Sequence, residues 1–402
     1  MEPGSSGINK QPQADVMESG SLALLRQPVV HYGARLRDIL IRVVTDQGCQ
    51  RVLPVVTGSL RRDPMVEEAM TTLGSRALPV FSDLRPHTPF DVVVALAARI
   101  GGERPDLIVV IGGGSAMDAA KISSLAAAGA AADVKALLAL RAIPGTQGEM
   151  TPSPVSRAIP IVAVPTTLSA AEFGMIGGAT DITTGIKHIF KSDTLAPDIV
   201  VFDPWLTVAT PSDLWLSTGV RSLDHGIETV LSLDASPYTD ALALRGLTLL
   251  SNGLRRSAAR PEDVAARHSC QLGVWLAACG IGRIRYGASH GLGHQLGAAA
   301  GVPHGLTSCV LLPAVLAFNE PVSPERQAWI AEACGGSGHP ASEVVRELIA
   351  SLGLPTRLSE LGIDAAILPH VAESALGNAF VKANPRPIAS VNDAMEILRA
   401  AY

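Results

Sequence analysis

The sequence predicts an α/β domain built on a largely parallel sheet, followed by an all-α domain, and three observations carry that expectation. From about Val30 to Pro204, short β-branched runs alternate with helical patterns, the signature of repeated βαβ units. Beyond Pro204 the β signal disappears, and helical stretches with Pro near several of their starts follow one another. Within the first half, the apolar run Leu107–Ile111 leads into Gly112-Gly-Gly-Ser115 and then a helix start, the order that a phosphate cradle needs.

Val52–Thr57, Ala77–Phe81, Asp106–Ile111, Ile159–Val164 and Asp198–Phe202 are the expected strands. Each is a near-continuous apolar run, as a strand buried on both faces requires. Pro64–Leu73, Phe90–Arg99 and Ser115–Ala128 read as the intervening helices. Arg141–Arg157, crowded with Pro, Gly, Ser and Thr, reads as a loop. The helical half divides into Pro211–Arg260, Pro261–Gly280, Tyr286–Gly301, His304–Asn319, Pro324–Ala333 and Pro340–Leu352. Residues 28–205 thus form the α/β domain and 206–402 the helical one. Residues 1–27, which begin polar and rich in Gly, Ser, Pro and Gln, read as a disordered extension.

A chain of 402 residues is enzyme-sized. Charged residues make up 17% and apolar ones 47%, so much of the chain must be buried within the protomer or against a second copy. A homodimer is the expected assembly. A net charge of −5 with no long basic cluster disfavours nucleic acid and anionic membrane as partners. The five cysteines form no CxxC pair, which argues against a disulfide scaffold or a cysteine zinc site and fits a reducing compartment. With no secretory signal visible, a cytoplasmic location is expected. Tyr286–Asn319 lacks Asp, Glu, Lys and Arg but holds three histidines and two prolines, and reads as a buried helix pair, not a membrane span.

The glycine loop is neither a GxGxxG fingerprint nor a Walker A loop; a phosphate cradle and a plain tight turn both remain open for it. A second turn, Pro165-Thr-Thr-Leu-Ser-Ala-Ala-Glu172, places the Thr166 and Thr167 hydroxyls where they either meet the same ligand or cap backbone. His290 and His294 stand at i and i+4 on one helix face, His304 follows a turn, and His225 lies in the apolar segment Asp224-His225-Gly-Ile-Glu228. One such histidine is usually a satisfied core residue. Four of them, three in one uncharged stretch, suit a dry pocket of metal ligands or proton donors.

These motifs resemble those of the group III, iron-containing alcohol dehydrogenase family, which also holds maleylacetate reductases and is related to dehydroquinate synthase. Gly112–Lys121 is similar to the family's GGGSxxDxAK, Pro165–Thr167 with Glu172 to its PTT…E loop, His290-x3-His294-x9-His304-Gly305 to its histidine signature, and Asn384–Pro387 to its NPRP. The resemblance spans about residues 28–402. It implies a dinucleotide-binding α/β domain, a helical domain, an active site in the cleft between them, and NAD(P)-linked hydride transfer. It also implies cofactor contacts at Gly112, Gly113, Gly114, Ser115, Asp118, Thr166, Thr167 and Lys187, with Gly58 and Ser59 after the second strand.

Two departures bear on mechanism. In metal-dependent members the ligands are an Asp, a His four residues later, and the first and last histidines of the signature. Here those positions hold Arg221, His225, His290 and His304. Arginine does not ligate a cation and its charge repels one, whereas a guanidinium pairs bidentately with a carboxylate. No metal is therefore favoured; if one is present, His225, His290 and His304 are its ligands, with Asp224 and Glu228 nearby. Metal-free maleylacetate reductases also lack the ligand Asp, and their upstream His-Thr-Pro resembles His87-Thr88-Pro89. Gly291-Leu-Gly293 and Gly305-Leu-Thr307 look more like the alcohol dehydrogenase pattern. The second departure is Gly58-Ser59-Leu60-Arg61-Arg62, where NAD-preferring members carry an acidic residue, so that NADPH is admitted alongside NADH.

The expected reaction is reduction of a small oxo or enol acid. His290 or His294 donates the proton, while Arg221, His225 and His304 stabilise the developing anion. A metal-dependent alcohol dehydrogenase on a neutral substrate, a dehydroquinate synthase-like lyase and an inactive scaffold stay open beside it.

Overall fold

The computed structural model describes residues 22, 27–144 and 150–402. The segment read as a disordered extension lies almost wholly outside them. The first half contains β1 (Val29–Tyr32), α1 (Leu36–Asp46), β2 (Val52–Val56), α2 (Pro64–Leu73), α3 (Phe90–Glu103), β3 (Leu107–Gly112), α4 (Gly114–Ala128) and α5 (Val134–Ala139). It continues through β4 (Ile143–Pro144), β5 (Met150–Thr151), β6 (Ile161–Pro165), β7 (Ile176–Thr180), β8 (Lys187–Lys191) and β9 (Ile199–Phe202). The helical half comprises α6 (Ser212–Leu231), α7 (Pro237–Ala259), α8 (Val264–Ala277), α9 (Ala288–Ala300), α10 (His304–Asn319), α11 (Pro324–Ala333), α12 (Ala341–Ser351), α13 (Leu368–Ala375), α14 (Ala379–Lys382) and α15 (Val391–Ala401).

Five parallel strands form the main sheet in the order β1-β9-β6-β3-β2. The central strands are buried along their whole length, which is why they read as unbroken apolar runs. In such a sheet ligands gather at the carboxyl ends of the strands. Here those ends bring together Thr57, Gly112 and Pro165: Gly112 pairs with Pro165, and the Thr57 N–H donates to the Ile111 carbonyl at 3.0 Å.

Three expectations need correction. Ala77–Phe81 is not a strand but touches β2 through two isolated bridges, at Ala77 and Phe81. Pro79 within it, which has no N–H to donate, and its polar neighbours keep it from forming a continuous ladder. Arg141–Arg157 is not wholly loop, because β4 and β5 pair antiparallel within it. Pro211–Arg260 is two helices, parted where Ser236 starts α7 with a capping box and Pro237 follows at its first position. The antiparallel hairpin β7–β8 went unread, since glycines and threonines mask its alternation.

In the helical half, every residue of α6 from Gly219 to Leu231 is buried. The stretch His304–Val322, made of α10 and the turn after it, is apolar and long enough, by length and composition alone, to cross a membrane, yet most of it is buried in the helical core. Gly305 makes that packing possible: a Cβ there would press into the Ser217 backbone of α6, so only glycine lets α10 start against it.

Candidate active site

The phosphate loop is built by close approach. Gly112 has φ +155°, and a Cβ on it would collide with the Thr57 side chain. Gly113 lies against Thr167 and Gly114 against Ser169 in the same way. Gly113 is the N-cap of α4 and supplies no side-chain cap, so the first N–H groups of α4 face the loop without one. The Thr167 hydroxyl beside them is buried with no partner among the described residues. Uncapped donors at a helix start and an orphaned hydroxyl fit a dinucleotide phosphate.

Other residues expected at the cofactor divide. Thr166 donates its N–H to the Gly112 carbonyl (2.9 Å) and accepts Thr210 Oγ1 on its own carbonyl (2.6 Å), so it ties the loop to the segment entering the helical domain. Asp118 turns away from that role. Its carboxylate accepts the Gly178 N–H at 3.0 Å and pairs with Lys121 at 3.2 Å, fastening α4 to the β7–β8 hairpin. Gly58 and Ser59 form an exposed 3-10 turn after β2. Lys187, on β8, lies along Gly178, and its charge reaches His294 and His304.

The histidines converge. His225 and His290 have ring centroids 4.7 Å apart, His290 and His294 6.5 Å, and His294 and His304 5.4 Å. Glu228, one turn beyond His225 on α6, explains the arrangement. Its carboxylate accepts the N–H groups of Gly287 (2.9 Å) and Ser289 (2.8 Å) at the start of α9, and its Oε2 lies 2.7 Å from His290 Nδ1. Asn384 accepts the Ala288 N–H at 3.1 Å and joins Asn319 in a reciprocal amide pair. Helix α9 therefore takes its N-terminal capping from α6 and from the NPRP segment, and both fix where His290 points. His290 Nε2 lies 2.9 Å from His225 Nδ1, while Tyr286 stacks on the other face with centroids 4.2 Å apart. Both nitrogens of His290 are thus in use. Neither nitrogen of His294 has a partner among the described residues, and Phe380 sits 5.5 Å from its ring.

Arg221 lies inside this wall. Its Nη1 donates to Ser308 Oγ at 3.1 Å and pairs with Asp224 Oδ2 at 3.4 Å. Asp224 also accepts the hydroxyls of Ser289 (2.8 Å) and Ser308 (2.6 Å), whereas its buried Oδ1 makes no hydrogen bond among the described residues and lies 3.7 Å from His290 Nδ1. Nη2 and Nε of Arg221 make no hydrogen bond among the described residues, and the side chain keeps 11% of its surface exposed. Burial and the Arg221 charge have direct electrostatic consequences. Burial first, and the Arg221 charge second, hold His225 and His290 well below the usual imidazole range, His294 down to about 3 and His304 down to about 2. All four are neutral at physiological pH. Burial and the neighbouring Asp224 push Glu228 up to about 8, against the pull of the α9 N–H groups.

Sequence reasoning missed Asp224 as the partner of Arg221, Tyr286 and Phe380 as ring neighbours, and the capping role of Glu228. Glu228 and Asp224 left a signal, since i+3 spacing places Glu228 near His225 and Asp224 near Arg221 on the same helix.

The model of the iron-containing alcohol dehydrogenases matches residues 28–204, and that of the C-terminal part of the same family matches residues 215–402. The chain belongs to the iron-containing alcohol dehydrogenase family. Among its relatives, the dehydrogenase ALT3 of Alternaria alternata is 32% identical over 389 residues, covering 88% of this chain and 99% of that protein. Maleylacetate reductase 1 of Cupriavidus pinatubonensis is 27% identical, covering 92% and 94%. Of solved structures, a 1,3-propanediol oxidoreductase superposes with a TM-score of 0.83 at 28% identity, covering 95% of this chain and all of that one. A maleylacetate reductase from Agrobacterium tumefaciens gives 0.80 at 25%, covering 96% and 99%. The family assigns this chain to the oxidoreductases.

Proposed function

We propose that this member of the family is an NAD(P)H-dependent reductase of a small oxo or enol acid, working without a metal ion. The observation that carries the reading is Arg221, a buried guanidinium with two unused nitrogens in the histidine cleft. Such a group suits a carboxylate bidentately. A divalent cation does not fit there, because the Arg221 charge repels it and His290 Nε2 is directed at His225 Nδ1 instead of at a shared centre.

The nicotinamide supplies the hydride when bound. Gly112, Gly113, Gly114, Ser115 and Thr167 hold its phosphates, and Lys187 stands between cofactor and substrate. Arg221 anchors the substrate carboxylate. His294, with both nitrogens free and its imidazole neutral, presents an N–H to the oxygen that gains charge, and His304 lines the same pocket. His290 and His225 hold the wall in place. Gly58 and Ser59 follow β2 where NAD-preferring members carry an acidic residue, and Arg61 and Arg62 come just after, so NADPH is accepted as well as NADH. A homodimer is inferred from the low charge content and tested on a sizing column.

A second reading rests on Asp224, Glu228 and His290, whose ligand atoms all lie within 4.8 Å of one another. The orphaned Asp224 Oδ1 favours it, and a cation there would make this a metal-dependent alcohol dehydrogenase. The test is absorbance at 340 nm with NADPH or NADH plus maleylacetate, using chelator-stripped, dialysed enzyme. Oxidation that survives stripping supports the metal-free reductase. Silence that is reversed only by Fe²⁺ or Zn²⁺ with an aldehyde overturns it.

A further inference from the structure

The turn Thr166–Ala170 lies between the phosphate loop and helix α6, and its residues alternate between the two. Toward the loop go Thr167, against Gly113, Ser169, against Gly114, and the Thr166 N–H, which donates to the Gly112 carbonyl. Toward α6 go Leu168 and Ala170, each 1% exposed, which belong to the core of the helical half although the chain places them in the α/β half. Gly219 of α6 makes room for them: a Cβ there would come within 3.1 Å of Leu168 Cδ1 and closer still to Leu254. Ala170 closes the turn with left-handed backbone, φ +62°, a conformation that L side chains rarely adopt and that persists where the surroundings over-determine it.

Hydroxyls fasten the turn to α6 and to the segment that enters it. Thr210 Oγ1 donates to the Thr166 carbonyl at 2.6 Å, the Leu168 N–H donates to Thr218 Oγ1 at 3.1 Å, and Ser222 Oγ donates to the Leu168 carbonyl. Thr218 passes its own proton to the Leu214 carbonyl at 2.7 Å, which orients its oxygen to accept. Both backbone groups of Leu168 are thus answered by one helix. Thr218 and Ser222 stand one turn apart on the same face of α6, and Arg221 is the neighbour of Ser222 in the chain.

We propose that this turn is a conformational link, through which cofactor phosphates seated at the Gly112–Gly114 loop restrain α6 and set Arg221 before the substrate arrives. Thr218 and Ser222 are its positioning residues. When Gly113, Gly114 and the Thr167 hydroxyl are held by a phosphate, one face of the turn is immobilised, and the other face cannot shift by itself because the same backbone carries both. The start of α6 then has less freedom left to lose when a second ligand binds beside Arg221. The inference rests on the phosphate seat and is independent of which substrate is reduced.

The test is hydrogen exchange read by mass spectrometry on the full chain, free and with saturating NADPH or NADH, alongside cofactor Kd by tryptophan fluorescence quenching. The parent is compared with Thr218→Val, Ser222→Ala and Thr218→Ser. In the parent, cofactor should slow exchange by about fivefold or more both at residues 112–118 and in α6 as far as Ser222. Thr218→Val and Ser222→Ala should keep the slowing at the loop, with Kd within about threefold of the parent, and lose it in α6. Thr218→Ser, which keeps the hydroxyl, should retain both. A hydroxyl with a purely structural role would instead speed α6 exchange equally in free and bound enzyme, and that outcome overturns the proposal. So does slowing confined to the loop in the parent, a result that needs no variant to fold. If neither segment responds to either cofactor, the proposal falls together with the phosphate seat.

Discussion

Arg221 Nη1 lies 3.4 Å from Asp224 Oδ2, a buried ion pair set one helical turn along α6 within the ring of four histidines. The pair explains how a cation is tolerated there, since an unpaired buried charge is strongly unfavourable. Because only Nη1 is engaged, the guanidinium keeps its other donors for a ligand. Arg221→Gln should therefore raise KM for an acidic substrate far more than for a neutral aldehyde, by about tenfold or more given the strength of charge-assisted hydrogen bonds. Equal effects on the two substrates, in steady-state kinetics, would remove Arg221 from recognition. The same variant leaves Asp224 with its serine hydroxyls but without its charge partner, and should unfold at lower denaturant.

The histidines are kept neutral, so the pH–rate profile should lack the limb near 6.5 that a titrating histidine gives. Arg221 is the second contributor to holding His294 at about 3 and His304 at about 2, so Arg221→Gln should move both upward, in part only, because burial remains. The check is kcat against pH for the two enzymes. The linkage follows from the sign: the unfolded histidines take up protons below about 6.5 while the native ones do not, so these groups cost stability as pH falls from there toward 3. Replacing His294 by Ala should lower kcat by about a hundredfold or more if it is the donor. An unaltered kcat would exclude it.

Asn384 links the late motif to the site. Its Oδ1 accepts the Ala288 N–H, and its amide pairs with Asn319, both buried. Asn384→Ala leaves those groups unsatisfied, at a cost of about 1–3 kcal/mol each in chemical denaturation. Since Ala288 opens the helix that carries His290 and His294, kcat should fall more than KM rises. A stability loss with unchanged kcat would make the motif purely structural.

The parallel sheet was legible because strands buried on both faces leave unbroken apolar runs, as at Leu107–Ile111 and Ile161–Val164. The phosphate loop and the four histidines were legible because glycine and histidine in those patterns have few other uses. The Arg221–Asp224 and Asp118–Lys121 pairs follow the i, i+3 spacing of a single helix and were open to reading from it. What the sequence hid was tertiary: that the Ser289 and Ser308 hydroxyls would donate to Asp224, that the Gly178 N–H would donate to Asp118, and that α9 would be capped by Glu228 and Asn384 from other segments. Each depends on which segments pack together, and periodicity does not carry that. The β7–β8 hairpin was hidden for a local reason, since Gly177, Gly178 and Thr180 break its apolar alternation.

Glu172 closes the turn after Thr166 and Thr167, is buried, and has no partner for either carboxylate oxygen among the described residues. Lys121 lies behind it, but its ammonium donates to the carbonyls of Ala171 (2.9 Å), Gly174 (3.4 Å) and Ile176 (2.6 Å). Burial pushes Glu172 up to about 7, only partly offset by its own backbone N–H and then by Lys121. Between the ordinary glutamate value near 4.5 and about 7, the native state holds a proton that the unfolded state has released. Stability then declines as pH rises through that window, by up to roughly 3 kcal/mol from this group. Glu172→Gln removes the titration, so thermal unfolding should show the variant gaining on the parent from pH 5 to 8, with the two converging near pH 4.5. A constant difference in Tm across that range would mean that Glu172 is ionised throughout and held by a partner.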